Sequence, residues 1–221
     1  MSITCTVFVP EGIAMAADSR MTAVIAPREG AEGRPMMFSA SDNAQKVFLL
    51  SKVQVGVSAC GLAMIEGKTI ADYLRLFEIE HITAKDTVSD VANKLAKYAR
   101  GFADKLSFFV CGYHKDEPYA YTVGREVTRS NYKDGKIQYS ISWAGEPTVI
   151  RKLLQTEPRM NMNLAVMPLK DAIDLSNFLI DTTIQYQRFE QKPSTCGGDV
   201  DILVLTKDDA FWYKHKLFAG K

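Results

Sequence analysis

SITCTVFVPEGIAMAADSR, residues 2–20, is the segment from which we infer the architecture of this chain. From Ser2 to Val9 polar and apolar side chains alternate, which is the period of a β-strand. A turn containing proline and glycine follows at residues 10–12, and a second extended run leads to Asp18. Two extended runs joined by such a turn predict a β-hairpin.

The rest of the chain alternates groups of strands with pairs of helices. Further strand-like runs cover residues 47–50, 53–59, 106–113, 119–123, 137–143, 200–205 and 211–217. Apolar residues with helical spacing cover residues 62–77, 88–102, 147–154 and 169–189. In the last of these helices the apolar stripe runs from Ala172 to Tyr186.

This order predicts an α+β fold. Short turns join the strands within each group, so both sheets should be mainly antiparallel. Packing them face to face, with a helix pair on each outer face, gives a four-layer αββα sandwich: two mainly antiparallel sheets between two helix layers. We expect a single domain over residues 1–221. Residues 23–44 have no period and are rich in glycine, proline, serine and alanine, which predicts an irregular loop insertion.

The composition excludes several classes of partner. Of the 221 residues, 47% are apolar and 24% are charged, as in ordinary globular domains, and the net charge is +1. Such a chain has no basic surplus for nucleic acid and no acidic surplus for a polycation. No apolar stretch approaches the length of a membrane span, and no targeting segment is visible. We therefore expect neither a nucleic-acid nor a membrane partner.

The cysteines and histidines give no sign of a metal or cofactor site. The four cysteines are scattered, without a C-x-x-C pair or a histidine at metal-ligand spacing. Their apolar or small neighbours favour free thiols in a reducing compartment, so we expect a cytoplasmic protein that needs no cofactor and no metal. The histidines, His81, His114 and His215, lie in polar stretches where we expect exposure, and we assign none a catalytic role.

Several segments together resemble one known family. Residues 2–20, 45–47, 55–61 and 196–206 are similar to the corresponding segments of mature proteasome β-subunits. In that family a carboxylate follows the N-terminal nucleophile by sixteen residues, and here Asp18 follows Ser2 by sixteen. The likeness extends over nearly the whole chain in the order of its elements. It implies the αββα fold of the N-terminal-nucleophile (Ntn) hydrolases.

The resemblance implies a nucleophile that carries its own base. A hydroxyl group needs an adjacent base to attack a carbonyl carbon. Removal of Met1, which is usual when a small residue follows, would expose the α-amine of Ser2. The reference pKa of such an amine, about 7.7–8.0, leaves a neutral fraction that can accept the hydroxyl proton at pH 7. Lys46 would favour the developing alkoxide, and Asp18 would pair with Lys46 and keep it oriented.

The same resemblance places the oxyanion-binding group at the turn after Ala59. The donor should be a backbone N–H. Counting without gaps puts the donor glycine of the family at Cys60, with Gly61 next. A backbone donor tolerates a different side chain, so both N–H groups remain candidates.

Three positions depart from the family pattern. The serine of the family's Ser-Gly turn before its third helix is replaced here by Ala144. The aspartate and serine that precede its Gly-Gly turn are replaced by Pro193 and Cys196. The missing groups normally bind the amine and hydroxyl of the nucleophile. Ser194 and Thr195 are one residue out of register and are candidates to replace them.

The predicted function is hydrolysis of peptide or amide bonds through an acyl-enzyme on Ser2, within a homo-oligomeric ring that takes peptide or protein substrates. The resemblance leaves any activating ATPase unspecified. If an amine rather than water resolves the acyl-enzyme, the same site is a transpeptidase. The alternative from another class is a non-catalytic structural or binding member of the same fold, comparable to proteasome α-subunits. Those subunits carry a longer N-terminal extension, whereas only Met1 precedes the first strand here, which favours the β-type.

Overall fold

The computed structural model of this chain describes residues 2–25 and 35–218. Sixteen strands and four α-helices lie within those ranges. The strands are β1 (Ile3–Val9), β2 (Gly12–Ala17), β3 (Met21–Ile25), β4 (Met36–Ser41), β5 (Val47–Leu50), β6 (Val55–Gly61), β7 (Met64–Ile65), β8 (Lys68–Thr69), β9 (Leu106–His114), β10 (Glu117–Val123), β11 (Val127–Arg129), β12 (Tyr132–Lys133), β13 (Lys136–Ile137), β14 (Ser140–Gly145), β15 (Asp201–Leu205) and β16 (Ala210–Lys214). The helices are α1 (Ile70–His81), α2 (Val88–Tyr98), α3 (Thr148–Leu154) and α4 (Leu169–Arg188).

Two five-stranded sheets contain ten of these strands. The first has the order β14-β1-β2-β15-β16, and the second has the order β11-β10-β9-β6-β5. All the pairings within them are antiparallel, as the short connections predict. Side chains from both sheets, among them Met15, Phe109 and Leu203, share one apolar cluster. The two sheets are therefore in direct side-chain contact.

The prediction of a four-layer αββα sandwich is wrong. The remaining six strands form three separate two-stranded sheets, β3-β4, β7-β8 and β12-β13. Strands outnumber helices in the described residues, and α3 has only seven residues. The fold is a mixed α and β arrangement in which strands predominate, not a clear helix-sheet-sheet-helix sandwich. Most of these strands were not predicted, because residues 23–44 were assigned to a loop and residues 62–69 to a helix, and no strand was assigned to residues 132–136.

Two local predictions also need correction. The segment at 23–44 is not irregular at its ends, because β3 and β4 pair there antiparallel; its middle, residues 26–34, lies outside the described residues. The helix predicted from residue 62 begins only at Ile70. Residues 64–69 form a short hairpin instead, and Thr69 caps the helix by accepting a hydrogen bond from the Asp72 N–H.

Helix α4, with 20 residues, is the longest helix in the described part of the chain. Its buried stripe packs against β1 and β2. At its C-terminal end the stripe is continued by Gln187, which is 1% exposed, whereas Tyr186 is 38% exposed. A polar amide therefore occupies the position one helical turn after Thr183, where the stripe predicts an apolar side chain. Within the described parts of the chain, no helix combines the length and apolar character needed to cross a bilayer.

Candidate active site

Ser2 lies immediately before β1, and the neighbouring strand β14 fixes its backbone. Its carbonyl oxygen accepts a hydrogen bond of 2.9 Å from the Glu146 N–H. The residue is 7% exposed, so its side chain is largely shielded while still lining a cavity. Met1, whose removal the resemblance implies, lies outside the described residues.

Gly145 allows β14 to approach Ser2 closely. Its φ is +102°, in the left-handed region that favours glycine. A Cβ atom added there would overlap the Ser2 carbonyl oxygen and lie 3.0 Å from the Cys60 Sγ. The absence of a side chain at this position therefore brings Ser2, Cys60 and β14 together.

Asp18 follows β2, and its carboxylate accepts four hydrogen bonds. Its Oδ1 atom accepts hydrogen bonds from the Lys46 Nζ at 2.6 Å and from the Ile3 N–H at 3.0 Å. Its Oδ2 atom accepts the N–H groups of Arg20 at 3.1 Å and Gly197 at 3.0 Å. The carboxylate is 1% exposed, and these four donors compensate its loss of hydration.

Lys46 completes a buried ion pair. It lies immediately before β5, and its carbonyl oxygen accepts the Ala59 N–H at 2.8 Å, which fixes it beside the end of β6. Only 4% of the residue is exposed. The predicted partnership of Lys46 with Asp18 is therefore present, and it links the hairpin that begins at Ser2 to the second sheet.

Cys60 and Gly61 lie at the end of β6 and line the same cavity as Ser2. This cavity has a volume of about 300 Å³, and its other walls come from Gly145 and residues 103–107. Burial raises the pKa of the Cys60 thiol, so the thiol is neutral at pH 7. Gly61 has a φ of +125°, and an added Cβ would overlap the Lys105 carbonyl oxygen. The structure thus places three of the predicted site residues, Ser2, Cys60 and Gly61, in one cavity wall. It pairs the other two, Asp18 and Lys46, with each other, and Asp18 binds the backbone of the residue after Ser2.

The candidate replacements for the missing family groups do not bind Ser2. The Ser194 Oγ donates to the Cys196 carbonyl oxygen at 2.7 Å, and both Ser194 and Thr195 form hydrogen bonds with Gln187. Burial raises the pKa of the Cys196 thiol to about 12, so this thiol supplies no negative charge. Ala144 has no polar side chain. These three departures therefore remain without a direct substitute among the hydrogen bonds of the described residues.

Two buried polar residues near the site escaped the sequence analysis. Glu146 is buried, and its N–H holds the Ser2 carbonyl. Burial opposes ionisation of its carboxyl, but hydrogen bonds from Thr148 outweigh burial and hold the pKa below its usual value. Gln187 is the second residue. The sequence offered one signal for each residue. Glu146 stands between Gly145 and Pro147 at the start of a predicted helix. Gln187 follows Thr183 by four residues, which places it on the buried face of α4.

The histidines belong elsewhere in the structure. The expectation of exposure is wrong for His215, which is buried with its ring 4.3 Å from the Trp212 ring. His215 lines a separate cavity together with Trp212. The prediction that the four cysteines are buried free thiols is confirmed.

No protein-family model matches this chain, and no curated protein matches it. The likeness to proteasome β-subunits therefore rests on the residues quoted above.

Proposed function

We propose that this chain is an N-terminal-nucleophile hydrolase of the proteasome β-subunit type that cleaves peptide or amide bonds through an acyl-enzyme on Ser2. The observation that carries the proposal is the position of one buried carboxylate. Asp18 binds the Lys46 ammonium and the Ile3 N–H through the same oxygen, which ties the cation to the residue after Ser2. A buried ammonium group is costly unless it is paired, and beside a hydroxyl group its charge favours the alkoxide.

The reaction begins once processing has freed the α-amine of Ser2. The Ser2 Oγ attacks the substrate carbonyl carbon while the neutral α-amine accepts the hydroxyl proton. A backbone N–H at Cys60 or Gly61 binds the oxyanion, and the amine returns the proton to the leaving nitrogen as the amide bond breaks. Water then attacks the Ser2 ester, releases the acid and restores the hydroxyl. If a substrate amine attacks instead, the product is a new amide bond.

The cavity beside Ser2 suits part of a peptide. Its volume of about 300 Å³ is at the lower end for ligand pockets and accommodates one side chain with its adjoining backbone. Gly61 and Gly145 leave backbone accessible along its wall. A peptide or protein is therefore the proposed substrate.

The resemblance also supports a homo-oligomeric ring as the working assembly. All four cysteines are free thiols. Free thiols are typical of a reducing compartment, whereas cysteines of secreted proteins usually form disulfides, so they support the expectation of a cytoplasmic protein.

A non-catalytic scaffold is the alternative. It is favoured by Ala144, Pro193 and Cys196, which remove the polar groups that hold the amine and hydroxyl in the family. It is disfavoured by the Asp18–Lys46 pair, since a buried ion pair contributes little to stability compared with apolar side chains of the same size.

The first prediction tests the nucleophile. The purified protein should begin at Ser2, and a peptide epoxyketone, which reacts with a hydroxyl and a free α-amine on one residue, should add to it. Ser2→Ala should abolish this adduct, and Ser2→Thr should retain it because the hydroxyl and the amine are both preserved. Intact-mass spectrometry of the protein before and after treatment measures both the processing and the adduct.

Thermal unfolding of Ser2→Ala supplies the control, because one hydroxyl at the start of a strand contributes little to stability. An adduct that persists in a folded Ser2→Ala protein, or a wild-type chain that retains residues before Ser2, would favour the scaffold. Addition of a free amino-acid amide to a turnover assay separates hydrolysis from transpeptidation.

The second prediction concerns assembly. We expect a closed homo-oligomer larger than a dimer, because closed point-group assemblies are usual for homo-oligomers and the resemblance implies a ring. Sedimentation velocity at micromolar concentration measures the size. A monodisperse single chain would contradict the ring.

A further inference from the structure

The amide of Gln187 is buried at a position where helix packing alone would favour an apolar side chain. Gln187 lies in the last turn of α4 and is 1% exposed. Removing an amide from water costs free energy unless its hydrogen bonds are replaced. The partners of this amide therefore indicate what the residue does.

Those partners all belong to one short segment. The Gln187 Oε1 accepts the N–H groups of Thr195 and Cys196, both at 2.9 Å. It also accepts the Ser194 hydroxyl at 3.2 Å, and the Gln187 Nε2 donates to the Thr195 Oγ1 at 3.2 Å. A single side chain thus fixes three successive residues, 194–196.

The residue after this segment holds the catalytic carboxylate. The Gly197 N–H donates to the Asp18 Oδ2 at 3.0 Å, and the Gly197 carbonyl oxygen accepts the Ser19 N–H at 2.9 Å. Gly197 therefore binds both Asp18 and Ser19, and it binds the carboxylate oxygen of Asp18 that does not bind Lys46. With the Oδ2 atom fixed in this way, the Oδ1 atom is directed at the Lys46 Nζ and the Ile3 N–H.

We propose that Gln187 is a positioning residue for the reaction at Ser2: through the backbone of residues 194–197 it sets the orientation of the Asp18 carboxylate and hence the place of the Lys46 ammonium. This inference rests on the proposed function. Gln187 touches neither the nucleophile nor Lys46, and it acts through two backbone N–H groups that only an acceptor at this position can hold.

Two substitutions separate the acceptor from the shape of the side chain. Gln187→Met keeps the length and removes the acceptor, and Gln187→Glu keeps an acceptor for both N–H groups. Gln185→Met, at an exposed position of the same helix, is the matched control. The rate constant for epoxyketone addition at saturating reagent, the reagent concentration at half-saturation and the melting temperature are measured for each protein.

We expect Gln187→Met to lower the saturating rate constant by about tenfold to a hundredfold, as a small misplacement of reacting groups does, while the half-saturating concentration stays the same. Gln187→Glu should recover most of the rate, and Gln185→Met should equal the wild type. A wild-type rate in Gln187→Met, or an equal loss in both Gln187 variants, overturns the proposal. If Gln187→Met does not fold, Gln187→Asn is measured in its place. Its side chain is shorter by one methylene, so the acceptor no longer reaches the two N–H groups, and we expect the same loss of rate.

A second measurement keeps this test independent of the proposed function. Hydrogen exchange followed by mass spectrometry reports the protection of residues 194–198 without any activity. Protection should fall in Gln187→Met and persist in Gln187→Glu. If wild-type Ser2 does not react at all, the proposed function fails, and unchanged protection in Gln187→Met would separately overturn the positioning role.

Discussion

Lys46→Met should abolish the reaction of Ser2 with an epoxyketone and lower the free energy of unfolding by about 3–5 kcal/mol. Methionine fills a similar volume but leaves the Asp18 carboxylate, which is 1% exposed, without its ammonium partner. The reactivity of Ser2 should fall because no cation remains to favour the alkoxide. Adduct formation and urea unfolding measure the two effects.

The double variant Asp18→Asn with Lys46→Met separates stability from chemistry. Removing both charges should recover part of the lost stability, because no uncompensated charge is then buried. Recovery should be incomplete, since the asparagine amide cannot accept every N–H that the carboxylate accepts. Ser2 should stay unreactive. Lys207→Met, at an exposed lysine, is the control and should resemble the wild type. A reactive Lys46→Met protein would show that Lys46 only supports the fold.

Gly145→Ala should displace Ser2 and eliminate its adduct. An added Cβ would overlap the Ser2 carbonyl oxygen, and alanine disfavours the φ of +102° at this position. The backbone strain alone costs about 1–3 kcal/mol, and the overlap adds to it. The melting temperature and the extent of epoxyketone addition measure the outcome.

Gly135→Ala is the matched control for the backbone effect. Gly135 has a φ of +76°, but a Cβ there would meet nothing within 4 Å. Gly135→Ala should therefore carry the same backbone strain as Gly145→Ala, but Ser2 should still react with the epoxyketone. If Gly145→Ala and Gly135→Ala behave alike, the close approach of β14 to Ser2 does not control reactivity.

The first hairpin was predictable from the sequence because its alternation is local. The predicted runs from Ser2 and to Ala17 correspond to β1 and β2, joined by the predicted turn. The alternation does not separate a buried face from an exposed one, however. Ile3 packs in the cluster with α4, and Thr4 on the opposite face is also buried. The hairpin is therefore covered on both of its faces, and its two strands lie inside the five-stranded sheet.

The arrangement of the elements could not be predicted in the same way. Strands β3 and β4 pair with each other across residues that carry no periodic pattern, and neither joins a larger sheet. Whether such a strand joins a larger sheet depends on which other strands lie beside it in the folded chain, and this information is not contained in a local sequence pattern. The number of sheets was therefore underestimated, and the layered architecture inferred from it was wrong.

The core of the site was accessible to sequence reasoning only through the resemblance. The spacing between Ser2 and Asp18 indicated the pair, and the contact of Asp18 with Lys46, 28 residues away, followed from the family pattern. The contact of Asp18 with Gly197 spans 179 residues and has no local signal. Gln187 was missed because the helical stripe predicted from the sequence ended at Tyr186, whereas the structure leaves Tyr186 38% exposed and buries Gln187.

The span of the Asp18 contacts has a consequence for biosynthesis. The carboxylate receives hydrogen bonds from residues 3, 20, 46 and 197, so its surroundings draw on both halves of the chain. Translation supplies residues in order, at about 5–20 per second. While residue 197 is still within the ribosome, the Asp18 carboxylate lacks one of its four donors. Under the proposed function, a nascent chain would therefore carry Ser2 long before Asp18 has all four donors, and Ser2 would gain its full reactivity only after residue 197 has emerged.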